Sequence, residues 1–74
     1  MKSVNISLQM AQTVKDFVRI VQDCPYEIDL KSDKYVVDAK SILGIFSLDL
    51  SKPLTVEIHS DDCDDLIKEL KQFA

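Results

Sequence analysis

The chain has 74 residues, 46% hydrophobic and 30% charged, with a single glycine and thirteen Asp and Glu against nine Lys and Arg, for a formal net charge of −4. That composition describes one folded domain over residues 1–74 and excludes collagen-like or low-complexity chains, while the negative charge repels phosphate backbones and excludes nucleic acid as an expected partner. A domain this small buries only about 60% of the surface its unfolded chain exposes, so any site it carries is expected to be shallow.

Val4, Ile6 and Leu8 are apolar at every second position, with Lys2, Ser3, Asn5 and Ser7 between or before them, which predicts a strand over 2–8 with one face buried. This polar alternation differs from the apolar run of a signal peptide. Nowhere does the chain approach the roughly 20 apolar residues that a membrane span requires, so a cytoplasmic location is expected. The period changes at Met10. Met10, Val14, Phe17, Val18 and Val21 recur at helical spacing, while Gln12, Lys15, Asp16, Arg19 and Gln22 occupy the other face. Asp23-Cys24-Pro25 ends this amphipathic helix, because proline lacks an amide proton and its predecessor is pushed out of helical geometry.

Tyr26, Ile28 and Leu30 alternate with Glu27, Asp29 and Lys31. A polar turn at Ser32-Asp33-Lys34 then leads into the extended run Tyr35 to Ala39, making a hairpin. Residues 40–48 read as a short helix lying on the domain, with Ser41 as its N-cap. After the turn at Lys52-Pro53, Leu54, Val56 and Ile58 alternate with Thr55, Glu57 and His59 as a fourth strand. Ser60 is expected to cap a closing helix whose first turn holds Asp61, Asp62, Asp64 and Asp65 and whose last turns hold Lys68 and Lys71, the arrangement the helix dipole favours. Its core stripe is Cys63, Leu66, Ile67, Leu70 and Phe73. The order β-α-β-β-α-β-α is that of an α+β fold, with one antiparallel sheet and its helices on one face.

The candidates for metal or thiol chemistry are weak. Cys24 and Cys63 are far apart with no CxxC spacing, which indicates neither a disulfide framework nor a zinc site, and reduced thiols are expected. Cys63 reads as a buried hydrophobe, and Cys24 has no adjacent cation to activate it. The acidic run at 61–65 lacks the glycine and spaced oxygen ligands of a calcium loop. Neither a metal nor a cofactor is expected.

The stretch Lys40-Ser41-Ile42-Leu43-Gly44-Ile45-Phe46-Ser47-Leu48 resembles the Lys-Ser-Ile-Met-Gly-Val-Met-Ser-Leu segment of the HPr family, the phosphocarriers of the sugar phosphotransferase system. The resemblance extends through the hairpin before it and through Ser51-Lys52-Pro53-Leu54-Thr55-Val56-Glu57-Ile58 to the acidic start of the last helix, over roughly residues 26–73. It implies the open-faced β-sandwich of that family, a four-stranded antiparallel sheet under three helices. The family carries Gly-Ile-His-Ala-Arg-Pro at the start of its first helix, and the histidine takes a phosphoryl group from enzyme I and passes it to an enzyme II. The matching stretch here is Leu8-Gln9-Met10-Ala11-Gln12-Thr13, with Met10 at the histidine position, Gln12 at the arginine and Thr13 at the proline. About three residues of the preceding loop are also missing. A thioether offers no nucleophilic nitrogen and glutamine no charge, so a non-catalytic, degenerate member is expected, and not an enzyme.

The alternative is an active phosphocarrier using an unconventional residue, for which His59 is the sole histidine candidate. By strand parity with Val56 and Ile58 it faces away from the core, and a phosphoryl dianion there meets the carboxylates of Asp61 and Asp62. Ser41 matches the family's second functional residue, the serine that HPr kinase phosphorylates in some bacteria and whose phospho-form binds a transcriptional regulator. Phosphoserine at a helix start is electrostatically favourable, and Lys40 adjoins it. The same serine is also fully accounted for as an N-cap. In the family this apolar helix forms a docking surface for protein partners. Leu43 and Phe46, joined by Met10, are the docking candidates here. The resemblance therefore implies a protein partner, namely a phosphotransferase-system component, HPr kinase or a transcriptional regulator. No membrane is expected as a partner, and the state is expected to be a monomer or weak homodimer.

Overall fold

The computed structural model describes all residues from Met1 to Ala74. Eight elements follow one another: β1 (Lys2–Ile6), α1 (Ala11–Gln22), β2 (Ile28–Ser32), β3 (Tyr35–Asp38), α2 (Ile42–Phe46), β4 (Leu54–Ile58), α3 (Asp64–Leu70) and a 3₁₀ turn at Lys71–Phe73. The strands form a four-stranded sheet in the order β1-β4-β2-β3, every neighbouring pair antiparallel.

Strand alternation divides the sheet into two unlike faces. One row of side chains, Val4, Val56, Leu30 and Val37, runs across all four strands towards the helices. The neighbouring row of opposite parity, Ser3, Glu57, Asp29 and Asp38, faces outward and is polar. Val14, Phe17, Val18 and Val21 of α1 and Leu66 and Leu70 of α3 close over the apolar face. The rings of Phe17 and Phe73 meet edge to face with centroids 5.9 Å apart, a geometry that the ring quadrupoles favour. The result is the single antiparallel sheet with its helices on one face that the order of elements predicts, and the open-faced sandwich that the HPr resemblance implies.

Several boundaries differ from the sequence reading, each for a local reason. β1 stops at Ile6, the partner of Leu54 at the first residue of β4. The Ser7 amide points to the outer edge of the sheet and donates to the Phe73 carbonyl at 2.8 Å, and Leu8 remains fully buried without being in a strand. β2 begins at Ile28, two residues after Tyr26. Asp33 and Lys34 form the hairpin loop between the paired Ser32 and Tyr35, with Asp33 at φ 50°, a left-handed conformation that aspartate tolerates better than most residues.

The closing helix also starts later than expected, because Ser60 does not cap it. The Ser60 hydroxyl accepts from the Asp62 amide at 3.1 Å, forming a turn that brings Cys63 into the core at the N-cap position, without a side-chain cap bond. Asp61 and Asp62 therefore lie ahead of the helix, and only Asp64 and Asp65 occupy its first turn.

The glycine of α2 is a packing requirement. A Cβ built on Gly44 would sit 3.3 Å from Val37 Cβ and 3.4 Å from Ser41 Oγ, so its absence lets α2 press onto β3.

Candidate functional site

Met10, which helical spacing places on the apolar stripe of α1, does not join it in the structure. It is the N-cap residue, in extended geometry, makes no side-chain cap bond and is 67% exposed. Its carbonyl accepts from the Val14 amide at 3.1 Å, which closes the first turn. The thioether lines a shallow open cleft with Ser7, Gln9, Thr13, Gln72 and Phe73, none of them from α2. Gln12 donates to the Asp16 carboxylate at 3.1 Å along the helix surface. The start of α1 thus presents a thioether and an amide that is already engaged, with no imidazole or guanidinium among the residues lining the cleft.

Ser41 occupies the position expected of it. It is the N-cap of α2, and its Oγ accepts from the Gly44 amide at 3.3 Å. The residue is exposed, so its hydroxyl is accessible from solvent. Its backbone amide donates to the Asp38 carbonyl at 3.0 Å, and the Asp38 carboxylate accepts from the Lys40 amide at 2.9 Å. Lys40 adjoins Ser41 in the sequence. Its ammonium is instead committed elsewhere, donating to the Cys24 carbonyl at 2.8 Å and the Tyr26 carbonyl at 3.0 Å. Those carbonyls belong to the connection after α1, so Lys40 fastens the start of α2 to the far end of the first helix.

The four large apolar side chains of α2 divide as a short helix requires. Ile45 is fully buried and Ile42 packs against the core, while Leu43 is 81% and Phe46 43% exposed. Leu43 and Phe46 thus form an exposed apolar pair on the helix that Ser41 caps.

His59 follows the last residue of β4 and faces away from the core, as its parity implies. Its Nε2 is 2.8 Å from Asp29 Oδ2 on the neighbouring strand, and its backbone amide donates to the Glu27 carbonyl at 3.0 Å. Strand alternation signals the outward face, but the Asp29 contact needs the β2–β4 register, which the linear sequence does not give. Beside it on the same face, Lys31 pairs with Glu57.

Both cysteines are free, Cys63 buried and Cys24 partly so. The Cys24 thiol donates weakly to the Ile20 carbonyl and the Cys63 thiol to that of Ser60. Tyr26 lies beside Cys24, and burial, followed by its bond with that thiol, pushes the phenol up to about 12. No group of three or more His, Cys, Asp or Glu is arranged to hold a metal ion, and no helix is long and apolar enough to cross a membrane.

Comparison with known proteins agrees with this architecture. The family model described as the PTS HPr component phosphorylation site matches residues 9–74. The crystal structure of HPr-C-His from Thermoanaerobacter tengcongensis superposes with a TM-score of 0.81 at 30% identity, covering 97% of this chain and 89% of that one. The phosphocarrier protein HPr from Bacillus anthracis superposes with a TM-score of 0.71 at 28% identity, covering 93% and 88% respectively. No curated protein matches the sequence. The chain belongs to the HPr family, the phosphocarrier family of the phosphotransferase system.

Proposed function

We propose that this chain is an HPr domain without phosphohistidine carrier activity, acting as a regulatory or protein-interaction module through the Ser41 helix. The observation that carries this reading is the side chain at the start of α1. Met10 stands at the N-cap, exposed to solvent, where the family resemblance calls for the histidine. Phosphoryl transfer needs a nucleophile there, and a thioether is not one towards phosphorus. His59 does not replace it. That imidazole sits against the Asp29 carboxylate on the outer face of the sheet, away from the helices, and a phosphoryl dianion on Nε2 would meet that carboxylate directly.

What supports an interaction role is the combination at α2 of an accessible serine hydroxyl with two exposed apolar side chains, Leu43 and Phe46. Partners of the family's kind, including HPr kinase or a transcriptional regulator, would read this surface. Incubation with an HPr kinase and ATP, followed by mass spectrometry, tests the serine: one added phosphate is expected on the wild type and none on Ser41→Ala. A Ser41→Ala protein modified as well as the wild type would sink the role given to this residue.

A further inference from the structure

β3 is the outermost strand on one side of the sheet and pairs only with β2. The opposite outer strand, β1, carries Lys2, which is tied to Asp64 at 3.2 Å. β3 instead exposes two apolar side chains in succession, Tyr35 at 70% and Val36 at 53%. An open edge with apolar side chains is a template for a further strand.

The ladder fixes which backbone groups are free to form it. A two-residue loop makes Ser32 and Tyr35 a hydrogen-bonded pair, and the same parity continues through Leu30 and Val37 to Ala39, whose amide donates to the Ile28 carbonyl at 2.9 Å. Val36, between them, turns both its N–H and its C=O away from β2.

We propose that this edge pairs antiparallel with β3 of a second copy of the chain, about a two-fold axis through Val36. An axis perpendicular to the sheet keeps each face on its own side, so only registers that match side-chain parity are allowed. With Val36 on the axis, the two Val36 residues exchange N–H and C=O as a hydrogen-bonded pair. Tyr35 then lies opposite Val37 of the second copy, an aromatic on a β-branched residue, and Lys34, the last loop residue before β3, comes beside Asp38. Moving the axis to Val37 would set Lys34 against Lys40 and Val36 against Asp38. Moving it to Tyr35 would set Asp33 against Val37 and Lys34 against Val36. Only the Val36 register brings opposite charges together.

The groups concerned are free to respond. Lys34 makes no ion pair or side-chain hydrogen bond within the chain, and Asp38 uses Oδ1 for the Lys40 amide while Oδ2 bonds to nothing in the chain. Gly44 of α2 approaches Val37, on the Asp38 side of Val36, and Ser47, Leu48 and Asp49 line a groove with Tyr35, Val36 and Val37 that the second copy's strand would border. A contact confined to strands of this length belongs with weak, transient interfaces. It is also salt-sensitive, because its ion pairs are exposed.

Sedimentation equilibrium of the full chain, from micromolar to millimolar concentration, tests the proposal. The mass is expected to rise from one chain towards two. Lys34→Glu should weaken the dimer by about tenfold or more, since like charges then face each other twice. Adding Asp38→Lys to it should restore the association. Val36→Pro forms a second arm, because it deletes only the outward N–H and should give a folded monomer by circular dichroism. A mass that stays at one chain throughout overturns the proposal. So does a dimer indifferent to Lys34→Glu and Val36→Pro, which would place the contact elsewhere, for example at Leu43 and Phe46.

Discussion

The ammonium of Lys40 donates to two backbone carbonyls in the connection that follows α1, in a partly buried setting. Hydrogen bonds from a charged donor contribute about 1.5–3 kcal/mol, and Lys40→Met, which keeps the aliphatic stem, should destabilise the fold by an amount in that range, read from urea unfolding. Ser41→Ala removes an N-cap acceptor and should cost about 1 kcal/mol, whereas Ser41→Asp keeps a capping oxygen and should cost less in the same assay. The two neighbouring residues differ in how openly the sequence declares them. An N-cap depends on residues three or four positions away, so Ser41 was legible. Lys40 acts across the fold on Cys24 and Tyr26, and only the packing of α2 against the end of α1 brings those carbonyls within reach.

At the scale of elements, α1 is held by Val14, Phe17, Val18 and Val21, all buried, with Phe17 against Phe73. Phe17→Ala should lower the unfolding free energy by about 3–5 kcal/mol. Gly44→Val should cost about 1–3 kcal/mol, because its branched side chain has to displace Val37 or lift α2 from the sheet. By contrast, Leu43→Lys changes an 81% exposed side chain. It should leave stability within about 0.5 kcal/mol while weakening any partner that docks on α2, a separation that paired melting and binding measurements would reveal. Period and polarity were enough to reveal the identity and order of the four strands and three α-helices, while the closing 3₁₀ turn reads as part of the last helix. The ends were less visible where tertiary contacts decide them. Leu8 is buried without belonging to β1, and Met10 carries an apolar side chain at a helical spacing yet faces solvent as a cap. Ser60 has the right chemistry for a cap but spends it on a turn, because Cys63 has to reach the core.

Across the whole molecule, titration should limit stability at both extremes of pH. Bonds from the Ser51 hydroxyl and amide hold the Asp49 carboxyl below its ordinary 3.8, and the Met1 ammonium does the same for Asp61. Groups depressed in the folded state contribute stability above their unfolded value and lose it as pH falls through the folded one, so stability should decline below about pH 4. Lys2 is raised above 10.5 by its bond to Asp64, and Tyr26 is raised from 10.0 to about 12, chiefly by burial. Their contributions are complete below those unfolded values and are lost as pH rises through the folded ones. Thermal melts should therefore also weaken from about pH 10 upward. A melting temperature that keeps rising above pH 10 would contradict the burial assigned to the phenol. The sequence carried the architecture and the family resemblance through local patterns, while the Asp29–His59 contact and the free edge at β3 depend on strand order, which no local pattern encodes. The central claim is that this HPr fold no longer carries a phosphoryl group on histidine. Its most direct test is incubation with enzyme I and isotopically labelled phosphoenolpyruvate, with a histidine-bearing HPr alongside. The account predicts acid-labile label on the comparison protein and none on this chain, and acid-labile label on this chain, at His59 or any other residue, would contradict it.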